Sequence, residues 1–148
     1  MRELDAKCSV YDAKGKILGR LASTVARELI AGKSVAVINA ERAVIVGNRR
    51  AIVKKYFTRL NLQEKQNPEN SPYWARRPDL LVKRAIRGML PYKKTDGRTA
   101  YRKLMVFIGT PSQLAKVKPI EIKTKDVNAI YMPHLTMEEL SHILGYTR

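Results

Sequence analysis

One cysteine, Cys8, and two histidines, His134 and His142, are all this 148-residue chain has of the side chains that most often carry metals or covalent chemistry. A lone cysteine excludes an internal disulfide. Cys8 lies in the strand-like run Lys7-Cys8-Ser9-Val10-Tyr11 and reads as a buried, inert thiol, since a reactive one needs a cationic, partly exposed setting. The histidines have no cysteine near them and lack zinc-type spacing, so they read as surface or capping residues. Ser23, Ser34 and Ser112 lack the flanking glycines of a nucleophile elbow, and nothing among the thirteen acids singles out a carboxylate pair. No apolar run approaches the roughly 18 residues needed to cross a bilayer. The segment Met1 to Asp5 is charged and has no apolar signal region, which leads us to expect a cytoplasmic protein.

Acids are scarcest where bases are densest. Residues 49–103 hold sixteen of the 29 Lys and Arg against four acids: Glu64, Glu69, Asp79 and Asp96. That stretch carries +12 of the chain's net +16. Like charges repel in a compact domain, so folding alone gains nothing from such a concentration. A polyanion converts the cost into binding energy, because each neutralised phosphate releases condensed counterions. A purely solubilising surface would interleave both signs. Arginine outnumbers lysine here nine to seven, which suits forked contacts to phosphate.

Length and the 45% apolar share fit one domain with a real core. We take residues 1–148 as a single domain, with weaker signals from 112 onward. Cys8 to Ala13 reads as a short strand. Leu18, Leu21, Ala22, Val25, Ala26, Leu29 and Ile30 follow at helical spacing, and Gly32 is a natural stop. Val35 to Ile38 is an apolar, β-branched run that should be buried on both faces of a parallel sheet. Strand, helix and strand make a βαβ unit with an expected right-handed crossover.

Ala43 to Val46 adds a possible third strand, and Asn48 is placed to cap a helix over Arg49 to Leu62. Gln63 to Arg77 is polar, proline-punctuated and long for a connector. Pro78 suits the first turn of a helix to about Leu90, which Pro91 ends. Lys93 to Arg98 reads as a basic turn, Thr99 to Lys103 as a short helix, Leu104 to Ile108 as a strand and Met137 to Leu144 as a last helix.

Gly32-Lys33-Ser34 looks like the end of a phosphate-binding loop, but Arg27 stands where the first glycine belongs and the helix precedes the strand. Gly15 and Gly19 are two glycines where a dinucleotide fingerprint has three. The basic region is the stronger signal. Its candidate phosphate contacts are Arg49, Arg50, Lys54, Lys55 and Arg59 on the first basic helix, and Arg76 and Arg77 before the next. Lys83, Arg84 and Arg87 follow on that helix, then Lys93, Lys94 and Arg98 in the turn, and Arg102 and Lys103 beyond it. Tyr73, Trp74 and Tyr92 sit beside these cations, where aromatics can stack on unpaired bases. Trp74 reads equally as core. No helix-turn-helix, zinc-finger or basic-zipper pattern appears, nor the paired aromatics of the RNA-reading sheet. Elimination leaves shape and backbone recognition of folded RNA. An RNA-processing or RNA-modifying enzyme is the alternative. It would need a metal site or an acid–base pair, and the sequence offers neither.

Val10-Tyr11-Asp12-Ala13, Leu18-Gly19-Arg20-Leu21-Ala22-Ser23 and Val37-Ile38-Asn39-Ala40-Glu41 resemble the opening of the large-subunit ribosomal protein thirteen family. Arg87-Gly88-Met89-Leu90-Pro91 resembles that family's signature, and Leu104 to Pro111 its following strand and turn. The resemblance runs in consistent order over about residues 8–111. Tyr73 to Pro78 is similar to the archaeal and eukaryotic branch, and a C-terminus without the long eukaryotic extension suits the archaeal type. The resemblance implies an α/β fold, three-layer α/β/α with a small, mainly parallel sheet. It implies a non-catalytic protein with no cofactor, metal or small-molecule substrate. Its partners would be large-subunit ribosomal RNA, bound and stabilised during assembly, and neighbouring large-subunit proteins on the cytoplasmic ribosome. The family's RNA-facing region would include Gly88 and Pro91 with the basic flank Arg87, Lys93, Lys94 and Arg98.

Overall fold

A computed structural model describes residues 8–115, 117–122 and 132–147. The charged segment at residues 1–5 lies outside them. The centre is a three-stranded parallel sheet of β1 (Ser9–Asp12), β2 (Val35–Ile38) and β4 (Leu104–Val106), in the order β1-β2-β4. Ser9 pairs with Val35 and Val35 with Leu104, so β2 is flanked on both sides. Its four residues are all buried. That is why β2 is apolar without alternation: each face meets a core.

Between β1 and β2 runs α1 (Leu18–Ile30), with Leu18, Leu21, Ala22, Val25, Ala26 and Leu29 buried along one stripe. Its end is a Schellman turn: Gly32, at φ +87°, donates to the Leu29 carbonyl and Lys33 N to the Glu28 carbonyl. Gly32-Lys33-Ser34 is therefore a helix stop. After β2 comes a 3₁₀ turn, Ala40–Arg42, then β3 (Val44–Val46). The capping expectation at Asn48 holds, its side chain accepting from Arg50 N at 2.9 Å. The helix so started, α2 (Arg49–Leu60), buries Ile52 and leaves most other side chains exposed.

The basic half continues through a 3₁₀ turn at Pro68–Asn70 to α3 (Pro78–Met89) and α4 (Thr95–Arg102). α4 begins four residues before the expected Thr99. Of the Lys93 to Arg98 stretch only Lys93 and Lys94 are turn and the rest is helix, with Asp96 placed favourably in the helix's first turn. α3 packs on α1 and β4, and α1 also packs on α4. Leu81, Val82 and Ile86 of α3 join the α1 stripe and Tyr11, Val37 and Leu104 of the sheet in one apolar core. Removing Leu21 or Leu104, both fully buried, is expected to cost about 2–5 kcal/mol.

The other sheet face buries Val10, Ala36 and Ile38 beneath Leu114, with Cys8 and Phe107 at its margin. Among the described residues that face is covered by turns rather than by a helix. Ile120 bridges to β1 through its N–H on the Val10 carbonyl, which shields an otherwise open edge. The C-terminal segment ends in β5 (His134–Thr136) and α5 (Met137–Ile143). β5 pairs antiparallel with β3, Ile45 opposite Leu135, and forms a second small sheet that the sequence did not announce. Leu135, Met137 and Leu140 are fully buried in the main core.

Candidate nucleic-acid interface

α3 places three cations on one side within two turns: Lys83, Arg84 and Arg87. Like charges three and four residues apart destabilise a helix by about 0.2–0.5 kcal/mol per pair. Aromatic rings offset this. The Arg84 guanidinium lies 3.6 Å from the Trp74 ring centroid, and Arg59 of α2 lies over the same ring at 4.9 Å and over Tyr56 at 5.6 Å. Arg87 stacks on Tyr92 at 3.9 Å, and the Lys83 ammonium sits 5.3 Å from the centre of Tyr101. Tyr92 and Tyr101 meet edge to face, 5.3 Å between centroids. Each cation–ring contact contributes about 0.5–2 kcal/mol, more as water is excluded. The contacts outweigh the repulsion, and the cations are held in place.

The half-buried Arg84 also donates to the Tyr73 carbonyl at 3.0 Å, fastening the loop 63–77 to α3. Burial, then the neighbouring charges of Arg87 and Arg59, lower its pKa from the usual value. It remains a cation at neutral pH. Burial likewise raises the Tyr101 phenol, against the opposing pull of Arg87. Arg84 and Arg87 line an open depression of about 630 Å³ with Gly88, Leu90, Pro91, Tyr92, Lys93 and Lys94. Gly88 is exposed and no atom lies within 4 Å of where its Cβ would stand, so a ligand can approach the backbone there. The rim turn is fixed by the Lys94 N–H on the Pro91 carbonyl and by Arg98, which donates to the carbonyls of Tyr92 and Lys93 at 3.4 and 3.5 Å.

The structure thus brings together Arg59, Trp74, Lys83, Arg84, Arg87, Gly88, Pro91, Lys93, Lys94 and Arg98. Two guanidiniums lie over the half-buried ring of Trp74, and its Nε1 is buried without a hydrogen-bond partner among the described residues. Other candidates stand apart. The exposed side chains of Arg49, Arg50 and Lys54 share no hydrogen bond, ion pair or ring contact with the α3 cluster among the described residues. Lys55 lines a different hollow, beside Val44 and Ile17. Arg77 forms a forked pair with Asp79, at 3.1 and 2.9 Å. The Arg76 carbonyl accepts from the buried Ser141 hydroxyl at 2.6 Å, tying the loop to α5. Lys103 donates to the Gly32 carbonyl at 2.8 Å and so serves the C-terminal end of α1. Arg102 is exposed on α4.

Sequence reasoning missed two supports. Gly97 is buried inside α4, and a Cβ there would overlap the Pro91 carbonyl and stand 2.9 Å from Tyr92 N. Close passage of α4 over this turn demands glycine, where Asp96-Gly97 had suggested only a turn. Tyr101 is the second: its ring links Lys83 to Tyr92, a role set by α4 packing beside α3 that local spacing does not signal. No group of three metal-ligating side chains occurs among the described residues, and no described helix is long and apolar enough to cross a membrane.

The family model described as ribosomal protein L13 matches residues 6–113, from before β1 through β4. Curated relatives extend the similarity into β5 and α5. A large ribosomal subunit protein uL13 of Methanosarcina barkeri is 41% identical over 139 residues, covering 93% of this chain and 97% of the relative. Those of Methanopyrus kandleri and Sulfurisphaera tokodaii are 38% and 40% identical, covering 93% and 92% of this chain and 87% and 93% of the relatives. The resemblance read from separate short motifs is thus one continuous relationship spanning the sheet, the α3 cluster and the C-terminal helix, and the chain belongs to the ribosomal protein L13 family, a structural and non-enzymatic one.

Proposed function

We propose that this chain is a structural constituent of the large ribosomal subunit, located in the cytoplasm, and that it binds and stabilises large-subunit ribosomal RNA during assembly and in the mature particle. The observation that carries the reading is the convergence of Arg84, Arg87, Lys93 and Lys94 on one open depression, with Lys83 and Arg59 fixed beside it on aromatic rings. Cations held in place lose little side-chain entropy on meeting a phosphate, and guanidiniums offer it a planar fork. Phosphate backbones would thread past Gly88, where the space a Cβ would take is open, beside the Pro91 turn. Arg49, Arg50, Lys54 and Lys55 form a second basic face on α2. The first turn of that helix holds no acid to repel a phosphate, though Asn48 already takes the Arg50 N–H.

The experiment is binding of the purified chain to transcribed large-subunit rRNA across a salt series. If six to ten phosphates are neutralised, affinity falls by roughly 10³–10⁵ between about 50 and 200 mM salt. Replacing Arg87, Lys93 and Lys94 together by Ala flattens that slope. A salt-independent association, or an unchanged slope in the triple variant, removes this face from the interface. Co-sedimentation with large subunits tests the assembly half of the proposal and its neighbouring-protein partners.

A further inference from the structure

Six aromatic side chains lie within residues 49–103: Tyr56, Phe57, Tyr73, Trp74, Tyr92 and Tyr101. Four of them are engaged by cations within the protein, Tyr56 and Trp74 by Arg59, Trp74 also by Arg84, Tyr92 by Arg87 and Tyr101 by Lys83. Of the two with no such contact among the described residues, Phe57 is 41% exposed and Tyr73 is 88% exposed. Tyr73 is thus an aromatic ring held out into water from the basic surface. Its backbone is nonetheless fixed. The carbonyl of Tyr73 accepts from Arg84 at 3.0 Å, and two residues earlier the Ser71 hydroxyl accepts from Glu64 N at 2.9 Å. Pro72 between them restricts the chain further. A bare ring on an anchored backbone beside guanidiniums is the composition of a stacking platform, because a base supplies a π-face and its phosphate meets the adjacent cation.

We propose that Tyr73 stacks on one unpaired nucleotide of the bound RNA, while the α3 face grips backbone. This rests on the ribosomal RNA reading above. Duplex RNA keeps its base faces buried in the stack, so the partner is a bulge, loop or strand end. Trp74, the more obvious candidate in sequence, is occupied by its arginines. The neighbouring guanidiniums favour a nucleotide over an apolar protein surface as the ring's partner.

The test uses the full chain as Y73A and Y73F with two probes, transcribed large-subunit rRNA and a fully paired RNA duplex. Y73A is expected to weaken rRNA binding about 5- to 150-fold, the loss of one base–aromatic stack. Its salt slope, melting temperature and duplex affinity stay as in the parent, and Y73F restores rRNA binding. Zero-length ultraviolet crosslinking to rRNA should map to Tyr73. The proposal is overturned if Y73A binds rRNA as the parent does, or if duplex binding falls equally. It is also overturned if Y73A impairs only incorporation into subunits and not binding to naked rRNA, which would assign the ring to a protein neighbour. A parent chain that fails to bind rRNA would remove the functional reading and this one together; loss confined to the Tyr73 arm removes this one alone.

Discussion

The Arg84 guanidinium rests 3.6 Å from the centroid of the Trp74 ring and, through Nη1, holds the carbonyl of Tyr73. By sequence alone Arg84 and Arg87 are equivalent, two cations one turn apart on α3. The structure separates them. Arg84 is half-buried and fastens the loop 63–77; Arg87 is exposed at the depression and stacks on Tyr92.

Arg84→Ala is therefore expected to lose stability as well as binding. A desolvated cation–π contact of about 2 kcal/mol and a hydrogen bond of about 1 kcal/mol disappear together. The melting temperature falls by several degrees, and the loop 63–77 becomes more sensitive to protease. Arg87→Ala removes one exposed ring contact of about 0.5–1 kcal/mol, so it lowers the melting temperature less than Arg84→Ala, leaves the loop as in the parent, and weakens RNA binding. Trp74 is the chain's one tryptophan, so its emission reports the stack directly and should shift in R84A and not in R87A. An R84A protein with parental melting and emission would show that the stack contributes nothing.

Gly97→Ala forces a methyl group into the Pro91 carbonyl. Because the clash is with the backbone of Pro91 and Tyr92, α4 must move off the turn. Overpacking of this kind costs about 1–3 kcal/mol. RNA affinity should fall as well, since Lys93 and Lys94 ride on that turn. Calorimetry and the salt series measure the two effects. A neutral Gly97→Ala would mean the turn is more pliable than its contacts imply.

Thr136 accepts from Glu139 N at 3.2 Å and caps α5, in the Thr-x-x-Glu arrangement of a capping box. Thr136→Ala should destabilise the protein by about 1 kcal/mol, and Thr136→Ser by much less. Urea denaturation distinguishes them. An equal loss in both would place the effect in β5 packing rather than in the cap.

The phenols of Tyr11, Tyr56 and Tyr101 are raised above their usual value, burial being the largest cause in each. The folded chain therefore keeps these protons to higher pH than the unfolded chain does. The stability this reflects is fully present below the ordinary phenol value of about 10 and drains away as pH rises past it. Thermal melts should be level in this respect through neutral pH and fall on the alkaline side. Y101F should fall less steeply there, because its share of the titration is gone. An alkaline limb identical to the parent's would exclude Tyr101 as a contributor.

Much of this molecule is local, and local features are legible in a sequence. The apolar stripe of α1 and the unbroken Val35–Ile38 run show their burial in their spacing, because side-chain period follows backbone geometry. Asn48, Gly32 and Pro78 mark helix ends through hydrogen bonds and torsions made within a few residues. Net charge is a sum, so a polyanion partner could be expected before any residue was placed, and the ordered motifs carried the family. Which cations stand together could not be inferred, because that depends on elements distant in sequence. Arg59 reaches Trp74 across the loop, and Lys103 turns back to the end of α1. Trp74 read equally as core or as a ring for a base, and the fold seats two arginines on it; Tyr73 beside it is exposed. The C-terminal strand was illegible for the same reason. His134–Thr136 is too short to announce itself and becomes a strand only where Val44–Val46 lies ready to pair. Backbone preferences and composition act over a few residues or over the whole chain. The interface belongs to the distances between, which are settled only when the core brings the helices together.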